Sequence, residues 1–230
     1  MEGFSRNIIS TGDGSHTVVL PELGITYHST RGAIQESEHV FIKAGLHYAF
    51  GHFPQDEIRV LEMGFGTGLN ALLTLIDCEQ QTRKVAYTTI EQYPLTAEEA
   101  ALLNYAQTLG HASSFEKLHA VVWDKMVDII PDFTLTKLPV NLMNAALAGP
   151  FHVIYYDAFA PDAQPELWTE EVFHKLYHVL AEGGVLTTYC SKGSVRRAMA
   201  AAGFTIKKIP GPPGKREMVQ AFKYKILKNE

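Results

Sequence analysis

The chain has 230 residues, 46% of them hydrophobic and 20% charged, a balance expected of one globular domain with room for a small elaboration. No apolar run reaches the length of a membrane span, and Met1-Glu2-Gly3-Phe4-Ser5-Arg6 lacks the apolar core of a signal peptide. Two cysteines, Cys78 and Cys190, make neither a disulfide framework nor a zinc pattern, so a cytoplasmic location is expected. The net charge of −5 is unevenly spread: Lys192 to the end holds ten Lys and Arg against two acids, the other residues ten against 23. Such a segment suits contact with a polyanion; solvated strand edges and helix faces would use the same residues.

In chain order, the first elements are antiparallel. Asp13-Gly14 is a hairpin turn between Asn7–Ser10 and Thr17–Leu20, and Pro21–Gly24 turns the chain into Ile25–His28. Glu36 to Phe50 has helical spacing of Val40, Ala44, His47 and Tyr48. Residues 1–54 are expected to form an extension or lid, and 55–230 the main domain. From Ile58 the pattern alternates: strand Ile58–Val60, a glycine loop, helix from Ala71, strand Lys84–Glu91, helix Ala97–Leu109, strand Phe133–Leu138, strand His152–Asp157. Helix Thr169–Leu180 follows, with Gly183-Gly184 as a stop, then strand Val185–Cys190 and helix Ser194–Ala202. Phe204–Ile209 and Met218–Tyr224 close the chain as a strand pair. This alternation predicts an α/β fold, a mostly parallel sheet covered on both faces.

The loop is Glu62-Met63-Gly64-Phe65-Gly66-Thr67-Gly68-Leu69-Asn70. A dinucleotide fingerprint wants its third glycine three residues after the second, and Leu69 stands there. Glycines at alternate positions behind an acid resemble instead motif I of class I S-adenosylmethionine (SAM) methyltransferases. In that family the loop passes under the methionine part of SAM, and a side chain at any of these glycines is expected to collide with it. Other contacts should sit at the carboxyl ends of the strands. Glu91 suits two ribose hydroxyls. Asn141 stands where an acid near the adenine amine is more usual, with Asp124 as its rival if the third strand is Leu118–Val122. Asp157, at the end of the fourth strand, suits an amine acceptor that a carboxylate orients and deprotonates. Ten histidines include the i, i+4 pair His174 and His178, but no H-E-x-x-H or Cys/His cluster accompanies them, so no metal site is expected. Trp123 and Trp168 read as core or pocket wall, Trp168 being the better candidate to stack on a base.

L-E-M-G-F-G-T-G-L-N, Y-Y-D-A-F-A-P-x-x-Q-P-E-L-W, S-K-G-S-V-R-R and G-P-P-G-K-R-E-M occur in that order, after a leader T-Y-H-S-T-R-G-A-I-Q-E-S-E-H-V-F. Together they resemble the methyltransferase module of MnmC/MnmD-type tRNA-modifying enzymes over nearly the whole chain. The resemblance implies a Rossmann-like class I methyltransferase sheet, with the C-terminal strand pair and the small N-terminal β/α extension. It implies SAM-dependent methylation of the amine of 5-aminomethyl-(2-thio)uridine at the tRNA wobble position, in the anticodon region. Glu62, Gly64, Gly66, Thr67, Gly68, Asn70, Glu91, Asn141 and Asp157 would then bind SAM. Asp157, Phe159, Pro161 and Glu36 would border the acceptor amine, with Tyr27 reaching over the pocket. Lys192, Arg196, Arg197, Lys215 and Arg216 would face the tRNA backbone. Rival readings are a small-amine methyltransferase, an aminopropyltransferase, which normally carries further acids, and a non-catalytic RNA-binding subunit.

Overall fold

The computed structural model describes residues 4–54 and 57–224. The reading of Met1–Gly3, the expected boundary at residue 55 and the basic residues beyond 224 lie outside them. An eight-stranded sheet in the order β10-β11-β9-β8-β4-β5-β7-β6 dominates the fold. Its strands are β4 (Ile58–Met63), β5 (Val85–Ile90), β6 (Met126–Ile130), β7 (Phe133–Leu138), β8 (Phe151–Tyr156), β9 (Leu180–Thr188), β10 (Thr205–Pro210) and β11 (Glu217–Phe222). The run β9-β8-β4-β5-β7 is parallel, while β6, β10 and β11 pair antiparallel at the two edges. Two apolar clusters cover the opposite faces: one includes Val60, Leu72 and Val153, the other Leu61, Ile154 and Leu176. Adjacent residues of β4 and of β8 thus bury opposite faces, which accounts for strands with little polar alternation.

The N-terminal hairpin, β1 (Asn7–Ser10) and β2 (His16–Leu20), pairs as its turn predicts and adds a short β3 (Ile25–Thr26). The following helix begins earlier than its apolar spacing suggests. It runs without a break through α1 (Ala33–Ser37), a π-wound segment (Glu38–Leu46) and α2 (His47–His52). In the wide segment the His47 N–H donates to the Ile42 carbonyl, five residues back. There Gly45 packs against the sheet, where an added Cβ would lie 3.1 Å from Val153 and 3.2 Å from Tyr155.

Three other expectations change. The helix expected over 97–109 is α4 (Ala97–Ala101) and α5 (Tyr105–Leu109), broken at Leu102–Asn104. The Asn104 amide donates to the Gly14 carbonyl at 2.9 Å and accepts the His16 N–H at 2.8 Å, so the hairpin docks at the break. Residues 112–120, part of which was a rival third strand, form helix α6 (Ala112–Ala120), and Met126–Ile130 adds an edge strand that the sequence reading lacked. Gly183 and Gly184 lie within β9 rather than before it, beside a register shift between Phe151 and Val153. The helices α3 (Leu69–Gln81), α7 (Glu170–Val179) and α8 (Gly193–Ala201) fall close to expectation. Among the described residues no helix is long and apolar enough to cross a membrane.

Candidate active site

Strand β4 lies between β5, the next strand in sequence, and β8. The chain therefore leaves β4 in one direction across the sheet and returns to its other side, which opens a crevice at the carboxyl ends of β4 and β8. The glycine loop follows β4 and Asp157 follows β8, so both reach this crevice. A pocket occupies it. Tyr27, Gly64, Gly66, Thr67, Asn70, Glu91, Asn141, Asp157 and Phe159 all line it.

The loop is tight because Gly64, Gly66 and Gly68 have φ of +90°, +50° and +74°. Two of them also admit close neighbours: a Cβ on Gly66 would lie 3.2 Å from the Tyr27 ring, and one on Gly68 2.8 Å from His119 Nε2. In the protein itself, the conformation and these protein neighbours account for the glycines; the pocket is an additional demand. Thr67 holds the loop between two histidines. His28 Nε2 is 2.7 Å from its hydroxyl, and His119 Nε2 is 3.2 Å from its carbonyl. Burial holds both imidazoles down at about 4, so both are neutral near pH 7. The Thr67 side chain is thus engaged within the protein, although the residue lines the pocket.

Glu91 is fixed by backbone donors: its Oε2 accepts the Gly66 N–H at 3.0 Å and its Oε1 the Tyr93 N–H at 2.8 Å. A carboxylate has about four acceptor positions, so two remain for hydroxyl donors. Asn141 spends its carbonyl on the Met143 N–H at 2.9 Å, and its amide donates to Gln92 at 3.1 Å. Gln92 and Tyr93 also line the pocket and were not singled out in the sequence, although they directly follow the strand-end acid. Asp124 is not among the lining residues.

Asp157 Oδ2 accepts from the Asn70 amide at 2.9 Å. Burial raises its pKa well above the carboxylate range; nearby Glu36 adds to this, and the Asn70 hydrogen bond and Lys215 oppose it. Tyr27 and Phe159 meet edge to face at 5.1 Å and wall this end of the pocket. Phe159 is held from behind, its carbonyl accepting the Trp168 indole N–H at 2.8 Å. Trp168 is only 6% exposed, so it is a buttress and not a stacking surface.

Several expected site residues lie elsewhere. Glu62 is fully buried beneath the loop, and neither carboxyl oxygen has a well-formed hydrogen bond, although Thr89, Asn70 and Tyr87 are its polar neighbours. Burial pushes its pKa well up. Pro161 occupies a turn closed by the Ala163 N–H on the Ala160 carbonyl, outside the lining, while Gln164, Glu166 and Leu167 contribute instead. Gly68 caps α3 from outside the lining. Glu36 is 7% exposed and lies near Asp157 without lining the pocket. Of the basic residues, Arg197 and Arg216 are exposed, Lys192 pairs with Asp162 and Arg196 donates to the Ser191 carbonyl. Lys215 departs furthest from expectation: it turns inward onto Glu36. Among the described residues no three His, Cys, Asp or Glu side chains converge as for a metal ion.

The donor set fits SAM. A glycine loop bare of side chains, an acid with acceptor capacity at the next strand end and a carboxyl at the far strand end share one crevice. Residues 123–224 match the model of a family described as S-adenosyl-L-methionine-dependent methyltransferase. Fold, crevice and match agree with a class I SAM-dependent methyltransferase. The chain is 31% identical to the tRNA 5-methylaminomethyl-2-thiouridine biosynthesis bifunctional protein MnmC of Cupriavidus metallidurans, over 96% of this chain and 34% of that protein. It is 32% identical to the protein of that name from Pseudomonas savastanoi pv. phaseolicola, over 84% and 31%. The chain thus resembles one part of an MnmC protein. It spans about a third of the length of these relatives. A crystal structure of MnmC2 from Aquifex aeolicus superposes with a TM-score of 0.75 at 24% identity, over 96% of this chain and 71% of that one, and has the same fold.

Proposed function

We propose that this protein methylates the amine of 5-aminomethyl-(2-thio)uridine at the wobble position of tRNA, giving the 5-methylaminomethyl product. The observation that carries this reading is Asp157: a carboxyl held by Asn70 inside the crevice, beside the Tyr27–Phe159 wall, in the pocket that Glu91 and the glycine loop also line. The names of the MnmC relatives supply the substrate. Gly64 and Gly66 would pass against the methionine part of SAM, Glu91 would accept ribose hydroxyls, and Asn141 with Gln92 would border the adenine. SAM bound there supplies an electrophilic methyl on a sulfonium.

Asp157 orients the acceptor amine and takes its proton. Its raised pKa makes it a better base than an exposed carboxylate, and Asn70 keeps one oxygen fixed while the other faces the amine. Tyr27 and Phe159 exclude water from the reacting atoms. Residues 1–54 act as the lid that brings Tyr27 and Glu36, and the exposed Arg197 and Arg216, with Lys192 and Arg196, meet the tRNA phosphates. A tRNA substrate places the protein in the cytoplasm.

The test is incubation with labelled SAM and tRNA carrying 5-aminomethyluridine, followed by nucleoside mass spectrometry. A 5-methylaminomethyl nucleoside is expected. SAM binding without that product would move the acceptor to a small amine, a reading favoured by the ion pairs that Lys192, Lys208 and Lys215 already make.

A further inference from the structure

Beside Asp157 the protein holds a primary ammonium of its own. Lys215 comes from the turn between β10 and β11, and its Nζ lies 2.6 Å from Glu36 Oε1. The same ammonium sits 3.9 Å above the centre of the Tyr189 ring. Glu36 is nearly buried, and its other oxygen accepts the Ser29 N–H at 2.8 Å, so the carboxylate is fixed in place. Tyr189 is fixed as well: its hydroxyl donates at 2.9 Å to the carbonyl of Ala158, the residue after Asp157. A carboxylate edge and an aromatic face at right distances for one ammonium make a built cation slot. Asp157 feels the charges of both Glu36 and Lys215, so the slot adjoins the catalytic carboxyl.

The acceptor in the reading above has the same chemistry as the lysine tip, a primary ammonium on a methylene. We propose that Glu36 and the face of Tyr189 form the ammonium subsite for the acceptor, that Lys215 fills it in the free protein, and that the acceptor displaces Lys215. This rests on the assignment of an aminomethyl acceptor. The subsite draws the cationic acceptor to Asp157, and it suits the product, which leaves as a secondary ammonium. Lys215 is carried by Gly211-Pro212-Pro213-Gly214, and its side chain is 35% exposed, so withdrawal toward solvent crosses no packed core. A phosphate of the incoming acceptor compensates the lysine for the lost pair.

Equilibrium binding of 5-aminomethyluridine and of uridine, in the presence of S-adenosylhomocysteine, tests the subsite without turnover. The wild-type protein should prefer 5-aminomethyluridine. Lys215→Met should tighten 5-aminomethyluridine by about tenfold, because its competitor is gone, and leave uridine unchanged. Tyr189→Leu should abolish the preference for the amine, and Tyr189→Phe should keep it. Equal or weaker binding of 5-aminomethyluridine by Lys215→Met, with Tyr189→Leu retaining the preference, would overturn the proposal. Should Lys215→Met fail to fold, Lys215→Gln and the Tyr189 pair carry the same decision. Methyl transfer to tRNA without this binding pattern removes the subsite and leaves the reaction; the pattern without methyl transfer to tRNA does the reverse.

Discussion

Asp157 and Glu91 are both strand-end acids, yet the protein treats them differently. Glu91 receives two backbone N–H groups, while Asp157 receives one amide and is otherwise walled off. The first is thereby suited to hold a polar ligand, the second to exchange a proton. Asp157→Ala should lower turnover by about 10²–10⁴-fold while SAM affinity stays within a few-fold; initial rates and calorimetry separate the two. Gly66→Val should abolish SAM binding, because valine resists φ +50° and its side chain meets the Tyr27 ring. His28 gives a pH signature. Its folded pKa of about 4 lies below the ordinary value of 6.5, so on acidification the unfolded chain takes up a proton that the folded one refuses. Its stabilising contribution is complete above pH 6.5 and is lost as pH falls toward 4. The destabilisation caused by His28→Gln, read from urea melts, should therefore shrink by up to about 3 kcal/mol between pH 7 and pH 4.

Most elements were legible because their signals are local: Asp13-Gly14 for the hairpin, runs of β-branched and aromatic residues for β5 and β8, glycine spacing for the loop. The break after α4 was not, since Ala100, Ala101, Leu102 and Leu103 are all good helix formers. Tertiary contacts decide it, through Asn104 on the hairpin and through burial of Leu103 at 2% while Leu102 stays 63% exposed. Asn104→Ala should cost about 1–3 kcal/mol by orphaning two backbone groups of the hairpin, measured by thermal unfolding. The strand-end residues of the site could be named from their spacing. The inward turn of Lys215 could not, because its partner Glu36 is 179 residues away and the tip G-P-P-G-K-R reads as exposed and basic.

At the scale of the molecule, the basic charge of the last elements is partly spent on ion pairs with Asp162, Glu217 and Glu36. Under the function proposed above, affinity for tRNA should still fall steeply with salt, and Arg197→Ala should reduce the slope of log K against log[salt] by about 1 while leaving SAM affinity unchanged. The N-terminal hairpin and helix share their apolar cluster with the main sheet, Val18 and Val40 packing with Val60 and Leu72 in one core. Arg6 adds a polar tie, donating to the carbonyls of Tyr93 and Pro94 beside the pocket and to Glu99. The histidines on either side of Thr67 have a thermodynamic consequence. One comes from the hairpin segment and one from α6, so the glycine loop is already immobilised by both halves of the chain before any ligand arrives. Ligand capture then draws nothing from the loop's own entropy, and the amides of residues 64–68 should exchange with deuterium almost as slowly in the empty protein as in the loaded one.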